Sequence, residues 1–284
     1  MPSPLLVAVA QEFGGKNKLR DICFKGKGAF KETYRATTES SQYVALKLLD
    51  PSKCSLSRSQ REINSLGKCN TPLIARLYSY GTFCSSGGTT YYFSLEEFID
   101  GGTLTDKINN SKLTPDIIRG YALSLVEALA YLKSINIVHR DIKPDNIMFR
   151  SGSSTPVLVD LGLARDLSES SLTPSWLMQG PGTPYYSAPE QLNNEKQLID
   201  WRTDQFSLGI VLGICLTGQH PFTERGMIPT ETVTAVSARK QCTKEFCKLV
   251  SGLGFSSVVK MVDPWPHRRY QSTEELLKML ASKA

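Results

Sequence analysis

Between the apolar stretches Ile137-Val138 and Ile147-Met148-Phe149 runs a polar segment, His139-Arg140-Asp141-Ile142-Lys143-Pro144-Asp145-Asn146. It carries a carboxylate able to act as a base (Asp141), an ammonium two residues later (Lys143) and an amide five residues later (Asn146). Pro144 removes a backbone donor and biases Lys143 away from helix. A plain polar turn would accept almost any mixture of Gly, Asn and Asp, so charged side chains between two buried ends point to chemistry. Upstream, Lys47 lies inside the apolar run Tyr43-Val44-Ala45-Leu46-Lys47-Leu48-Leu49. Such a lysine is either an edge residue with its head in water or a ligand for an anion. The glycine turn Lys25-Gly26-Lys27-Gly28-Ala29-Phe30 is the candidate holder of that anion. Downstream, Val157-Leu158-Val159-Asp160-Leu161-Gly162 reads as a short strand ending in a carboxylate and a glycine.

The elements that must position these groups change character along the chain. Residues 19–49 read as strands around the glycine turn, and residues 77–98 as two strands joined at Ser85-Ser86-Gly87-Gly88. Between them Leu56, Ile63 and Leu66 fall on helical spacing, stopped by Gly67, with Glu62 on that helix. Asp100-Gly101-Gly102-Thr103 breaks the pattern and marks the best boundary. Beyond it Thr114-Pro115 opens an amphipathic helix through Ile118, Ala122, Leu125, Leu129 and Leu132, ending near Lys133. Residues 163–186 show no periodicity, and an irregular stretch that long is usually functional. The run 206–216 is apolar all round, predicting a core helix started at Thr203-Asp204 and stopped by Gly218. Ser272 and Glu275 form a capping-box pattern that opens a last helix through Leu276, Leu277 and Leu280.

The composition sets the class. At 284 residues the chain is near the upper limit for one hydrophobic core, so one two-part domain or two small ones is expected. Its net charge of +6 comes from scattered Lys and Arg without basic runs, so nucleic-acid binding is not expected. Seven cysteines, none in a C-x-x-C pair, and three histidines argue against a disulfide framework or metal-site signature. The apolar start at residues 5–10 is too short and lacks the basic flank of a secretory leader. No run approaches the length of a membrane span. A cytoplasmic chain is therefore expected, and its oligomeric state is not written in the sequence.

The pattern H-R-D-x-K-x-x-N at 139–146, with the other motifs in order from Gly26 to Arg269, resembles the serine/threonine protein kinase family. The ending Arg269-Tyr270-Gln271-Ser272 is similar to the bacterial branch. The resemblance implies an α+β bilobal fold, an antiparallel β lobe with one main helix followed by a mainly helical lobe. It implies a single catalytic domain at 14–284, with lobes at about 14–98 and 104–284 and a hinge at about 97–103. Few residues fall outside that span, so regulation is expected from other chains or from the activation loop.

It further implies ATP with Mg2+, or Mn2+ in its place, and protein substrates with Ser or Thr acceptors. Asp141 would act as base, Lys143 would contact the transferred phosphate, and Lys47 would bind the α- and β-phosphates and pair with Glu62. Gly26 and Gly28 would cover the phosphates, with Ala45, Glu97, Ile99 and Met148 around the nucleotide. Asn146 and Asp160 would hold the metal, and Asp204 would brace the loop. Arg140 would partner phosphate added at Ser168, Ser170, Ser171, Thr173 or Ser175. Thr183, Glu190 and Arg269 would form the substrate platform.

The chain departs from the family pattern at four places. Lys31 replaces the third glycine of the phosphate loop, Thr33 a valine over the adenine, and Leu161 the phenylalanine of D-F-G. Glu96 aligns with the gatekeeper behind the adenine: either the alignment slips by one at Glu96-Glu97, or a carboxylate lies there and finds a partner. A pseudokinase, acting as a nucleotide-binding regulatory module, is the alternative, but Lys47, Asp141, Asn146 and Asp160 are all present. A small-molecule kinase is the third, disfavoured by Ala188-Pro189-Glu190 and Lys143.

Overall fold

The computed structural model describes residues 1–28, 31–49, 67, 69–110, 113–161, 165–166 and 184–282. The chain divides into two compact units, Met1–Ile99 and Asp100–Ala284. The first unit is built on an antiparallel sheet of five strands: β1 (Arg20–Lys27), β2 (Lys31–Thr37), β3 (Tyr43–Leu49), β4 (Leu77–Cys84) and β5 (Thr90–Glu97). Their spatial order is β1-β2-β3-β5-β4. Alternation of side chains along strands sends Leu46 and Leu48 to one face and Ala45 and Lys47 to the other. The turn between β4 and β5 is the expected one, closed by Gly88 N–H on Ser85 O, with Gly88 in the left-handed region (φ 79°) that glycine enters without penalty.

A helix that the sequence reading did not assign covers the Leu46 face. This α1 (Pro4–Lys16) contains the apolar run discounted as a leader and extends it by a turn and a half. Leu6, Val9, Ala10 and Phe13 recur at three- and four-residue steps and join Tyr34, Leu46, Leu48, Phe83 and Tyr91 in one core cluster. Phe13 makes ring contacts with Phe83 and Phe93 at 5.2 and 4.5 Å between centroids. The helix expected over residues 56–66, including Glu62, lies outside the described residues.

The second unit is mainly helical, with α2 (Leu104–Asn110), α3 (Pro115–Ser134), α4 (Pro189–Leu192) and α5 (Trp201–Thr217). Three helices that the periodicity did not reveal follow, α6 (Pro229–Ser237), α7 (Lys244–Gly252) and α8 (Ser256–Met261), and α9 (Thr273–Ala281) ends the unit. Thr114 Oγ1 accepts from Ile117 N at 3.4 Å and Pro115 takes the first position of α3, whose inner stripe is Ile118, Ala122, Leu125, Leu129 and Leu132. The core helix α5 starts two residues earlier than Thr203. Its cap is Asp200, whose Oδ1 accepts from Arg202 N at 2.8 Å, and Gly218 (φ 73°) ends it as expected. Ser272 Oγ accepts from Glu275 N at 3.1 Å and caps α9.

Short strands complete the unit: β6 (Ile137–Val138), β7 (Ile147–Phe149), β8 (Pro156–Leu158) and β9 (Arg165–Asp166). β6 pairs with β9 and β7 with β8, all antiparallel. Among the described residues no helix is long and apolar enough to cross a membrane. The six described cysteines are thiols; Cys54 lies outside the described residues.

Candidate active site

In the second unit the polar loop is pinned at both ends, as the apolar brackets predict. Ile137, Val138, Ile147 and Phe149 are buried, and Lys143, extended before proline, leads into a 3-10 turn at Pro144–Asn146. The loop's entry is fixed from α5: Asp204 accepts His139 N at 2.7 Å and Arg140 N at 2.8 Å. Burial pushes the Asp204 carboxyl up to about 7 against the pull of those two amides. Gln191 of α4 donates to Arg140 O at 2.9 Å, a bracing contact that no sequence motif announces. Arg140 itself is left-handed (φ 68°), as is Asp160 (φ 65°). Such backbone is costly for a side chain with Cβ and persists only where its surroundings impose it.

His139 is fully buried. Its Nε2 donates to Val159 O at 3.2 Å, which leaves Nδ1 to accept from Asp141 N at 3.3 Å. Both bonds suit a neutral ring, and burial holds its pKa down at about 4. The Asp141 carboxylate is oriented through one oxygen: Lys143 Nζ lies 2.9 Å and Asn146 Nδ2 2.8 Å from Oδ2. The same amide also reaches Asp141 O at 2.9 Å. Burial raises the Asp141 pKa above the ordinary carboxylate range, opposed by Lys143 and reinforced by the nearby charge of Asp160.

These side chains fit a divalent cation as a partial donor set. Both side-chain hydrogen bonds of Asn146 use its amide nitrogen, which turns the amide oxygen the other way, and Asp160 is close enough to be felt by Asp141. Among the described residues no group of three or more His, Cys, Asp or Glu could hold a metal by itself. One carboxylate and one amide suit a magnesium-like ion that takes further oxygens from phosphates and water.

Farther along, Glu190 and Arg269 form a two-pronged ion pair, Arg269 Nη1 to Glu190 Oε1 at 2.7 Å and Nη2 to Oε2 at 3.0 Å. Both side chains are completely buried. Thr203 Oγ1 adds a donor to Glu190 at 2.9 Å, and Arg269 also reaches the carbonyls of Arg202 and Asp263. Thr183 and the serines and threonine at 168, 170, 171, 173 and 175 lie outside the described residues.

The first unit carries the other half of the candidate residues. Lys47 stands opposite Thr33 on β2 and Ser94 on β5, and Ala45 stands opposite Glu96. Opposed residues share a face, so these side chains lie on the side of the sheet away from α1. Of the two openings for Glu96, the register selects the buried carboxylate with a partner: its Oε2 lies 2.6 Å from Lys47 Nζ. Glu97 points to the opposite face, where its Oε2 accepts from Arg76 N at 3.3 Å. The described partner of Lys47 is thus Glu96, where the family pattern implies Glu62.

Gly26 follows a bulge in β1, and a Cβ added to it would meet nothing within 4 Å, so its backbone is open to a ligand. Gly28 N donates to Lys31 O at 2.8 Å, closing the turn. Ile99 is buried at the end of this unit, whereas Met148 is half-buried on β7 in the other.

Residues 22–281 match the family signature described as a protein kinase domain. The chain is 30% identical over 274 residues to a "probable serine/threonine-protein kinase" of Streptomyces coelicolor, covering 94% of this chain and 39% of that protein. It is 32% identical over 220 residues to the serine/threonine-protein kinase PknD of Mycobacterium tuberculosis, covering 75% and 31%. A CBL-interacting protein kinase of rice (Oryza sativa subsp. japonica) is 31% identical over 208 residues, covering 72% and 44%. The chain therefore spans less than half the length of each of these relatives. With the antiparallel sheet, the helical second unit and the braced His139–Asn146 loop, this match over most of the sequence means that the chain belongs to the protein kinase family.

Proposed function

We propose that the chain transfers the terminal phosphoryl group of ATP to serine and threonine hydroxyls of protein substrates, with Mg2+ as its metal. The observation that carries this is the Asp141 carboxylate held through Oδ2 by Lys143 and Asn146, with a pKa raised by burial. Phosphoryl transfer asks a protein for positioning and charge neutralisation more than for covalent work. Asp141 orients the acceptor hydroxyl and takes its proton through Oδ1. Lys143 neutralises the phosphate being passed. Lys47 and the open backbone at Gly26 bind the triphosphate, with Gly28 closing the turn, while Ala45, Ile99 and the backbone of Glu97 hold the base. Asn146 and Asp160 hold the metal, which supplies positive charge to the phosphate oxygens. Glu190 and Arg269 anchor the segment that, with Thr183, receives the peptide. Phosphate added between Ser168 and Ser175 pairs with Arg140. The two units act as lobes of one catalytic domain, and its thiols suit a cytoplasmic setting.

Incubation with labelled ATP, Mg2+ or Mn2+ and a generic acceptor protein tests this beside Asp141→Asn and Lys47→Met. Label is expected to enter wild type, with Asp141→Asn slower by roughly 10²–10⁴-fold. Nucleotide bound by wild type without label transfer would overturn the proposed activity and leave a binding module.

A further inference from the structure

Lys47 is held by a carboxylate that belongs to its own sheet. β3 and β5 are paired so that Ser94 lies directly across from Lys47 and Glu96 lies two residues farther, on the same face. That diagonal is within reach of long side chains. The ammonium is 2.6 Å from Glu96 Oε2, and Ser94 Oγ donates to the other oxygen, Oε1, also at 2.6 Å. All three residues are buried, Glu96 to within 1% of full burial. A carboxylate so buried needs its charge balanced and its oxygens bonded, and Lys47 and Ser94 do both.

We propose that Glu96, fixed by Ser94, is a positioning residue that holds the Lys47 ammonium for the nucleotide phosphates from within the sheet. An ammonium has three N–H donors, and Glu96 engages one, so the lysine keeps donors for phosphate oxygens. Strand-to-strand hydrogen bonds set the spacing of the pair, so the sheet itself preorganises the lysine. This inference rests on the ATP-dependent activity proposed above.

Titration calorimetry with Mg·ATP tests it on wild type, Glu96→Gln, Ser94→Ala, Lys47→Met and the Glu96→Gln/Lys47→Met double variant. The fitted stoichiometry reports the folded fraction, so affinity is read apart from stability. Glu96→Gln is expected to weaken binding about tenfold and Ser94→Ala severalfold, as expected when a positioned group is loosened. In the double variant Glu96→Gln is expected to add nothing to Lys47→Met, because both changes remove one unit. Independent, multiplying effects would assign Glu96 to packing and overturn the proposal. Unchanged or tighter binding by Glu96→Gln would also overturn it, the latter by showing that the carboxylate competes with phosphate for the lysine. Wild type that binds no Mg·ATP would overturn the kinase activity and this role together, whereas the other adverse outcomes leave that activity standing.

Discussion

At the scale of single residues, the second unit depends on charges removed from water in matched sets. Arg269 is the clearest case, with both prongs of its guanidinium on Glu190 and further donors on the carbonyls of Arg202 and Asp263. Arg269→Met keeps most of the volume but leaves Glu190 buried with Thr203 and without its paired guanidinium. Loss of one member of such a pair costs about 3–5 kcal/mol, and a urea midpoint lowered with unchanged slope is the expected result. A shift of under about 1 kcal/mol, the scale of an exposed pair, would show that Glu190 finds another partner. Sequence alone named both residues, because each belongs to a recognisable motif. It could not reveal the Thr203 donor or the two carbonyls, which only the fold brings near.

At the scale of elements, α1 covers the face of the sheet opposite Lys47. Its apolar stripe, Leu6, Val9, Ala10 and Phe13, is short, and in the sequence it competes with a leader-like run; only the sheet shows what the stripe is for. Phe13 is the largest buried side chain of the helix, with ring neighbours on β4 and β5. Phe13→Ala is expected to cost about 3–5 kcal/mol from lost transfer energy and the cavity left behind. Thermal unfolding and amide exchange check it, with faster exchange expected in β3 and β5. Exchange unaltered in those strands would mean that α1 does not support the sheet carrying Lys47 and Glu96.

At the scale of the molecule, stability sums over titrating groups of opposite sign. His139 and His220 are held neutral by burial, each with a folded pKa of about 4. The unfolded chain takes up those protons first as pH falls below about 6.5. Their contribution is complete above that value and is lost progressively towards pH 4. Asp204, raised to about 7 by burial, works the other way, favouring the folded state on acidification. The histidine share is isolated by His220→Gln, since the His220 ring is distant in sequence from the His139–Asn146 loop and donates to Tyr185 O. Urea denaturation at several pH values is expected to give a profile flatter than wild type between pH 6.5 and 4, by up to about 3 kcal/mol. Parallel profiles would show that His220 does not titrate differently in the folded chain.

Much of this protein is determined by sequence because its signals are local. The buried brackets at 137–138 and 147–149, the Thr114-Pro115 start of α3, the Ser272 cap and the Gly218 stop each depend on a few adjacent residues. The order of Lys47, Asp141, Asn146 and Asp160 likewise marks the family before any coordinate is known. Other features depend on residues far apart in the chain. The cap of α5 moved to Asp200, and α6, α7 and α8 span only nine, nine and six residues, too few turns for apolar spacing to stand out in the sequence. Glu96 shows the division most clearly. In the sequence it is an oddly placed acid beside a second one, with its register open. The pairing of β3 with β5, set by backbone hydrogen bonds along both strands, places it two residues diagonally from Lys47, and burial then makes each charge the other's requirement.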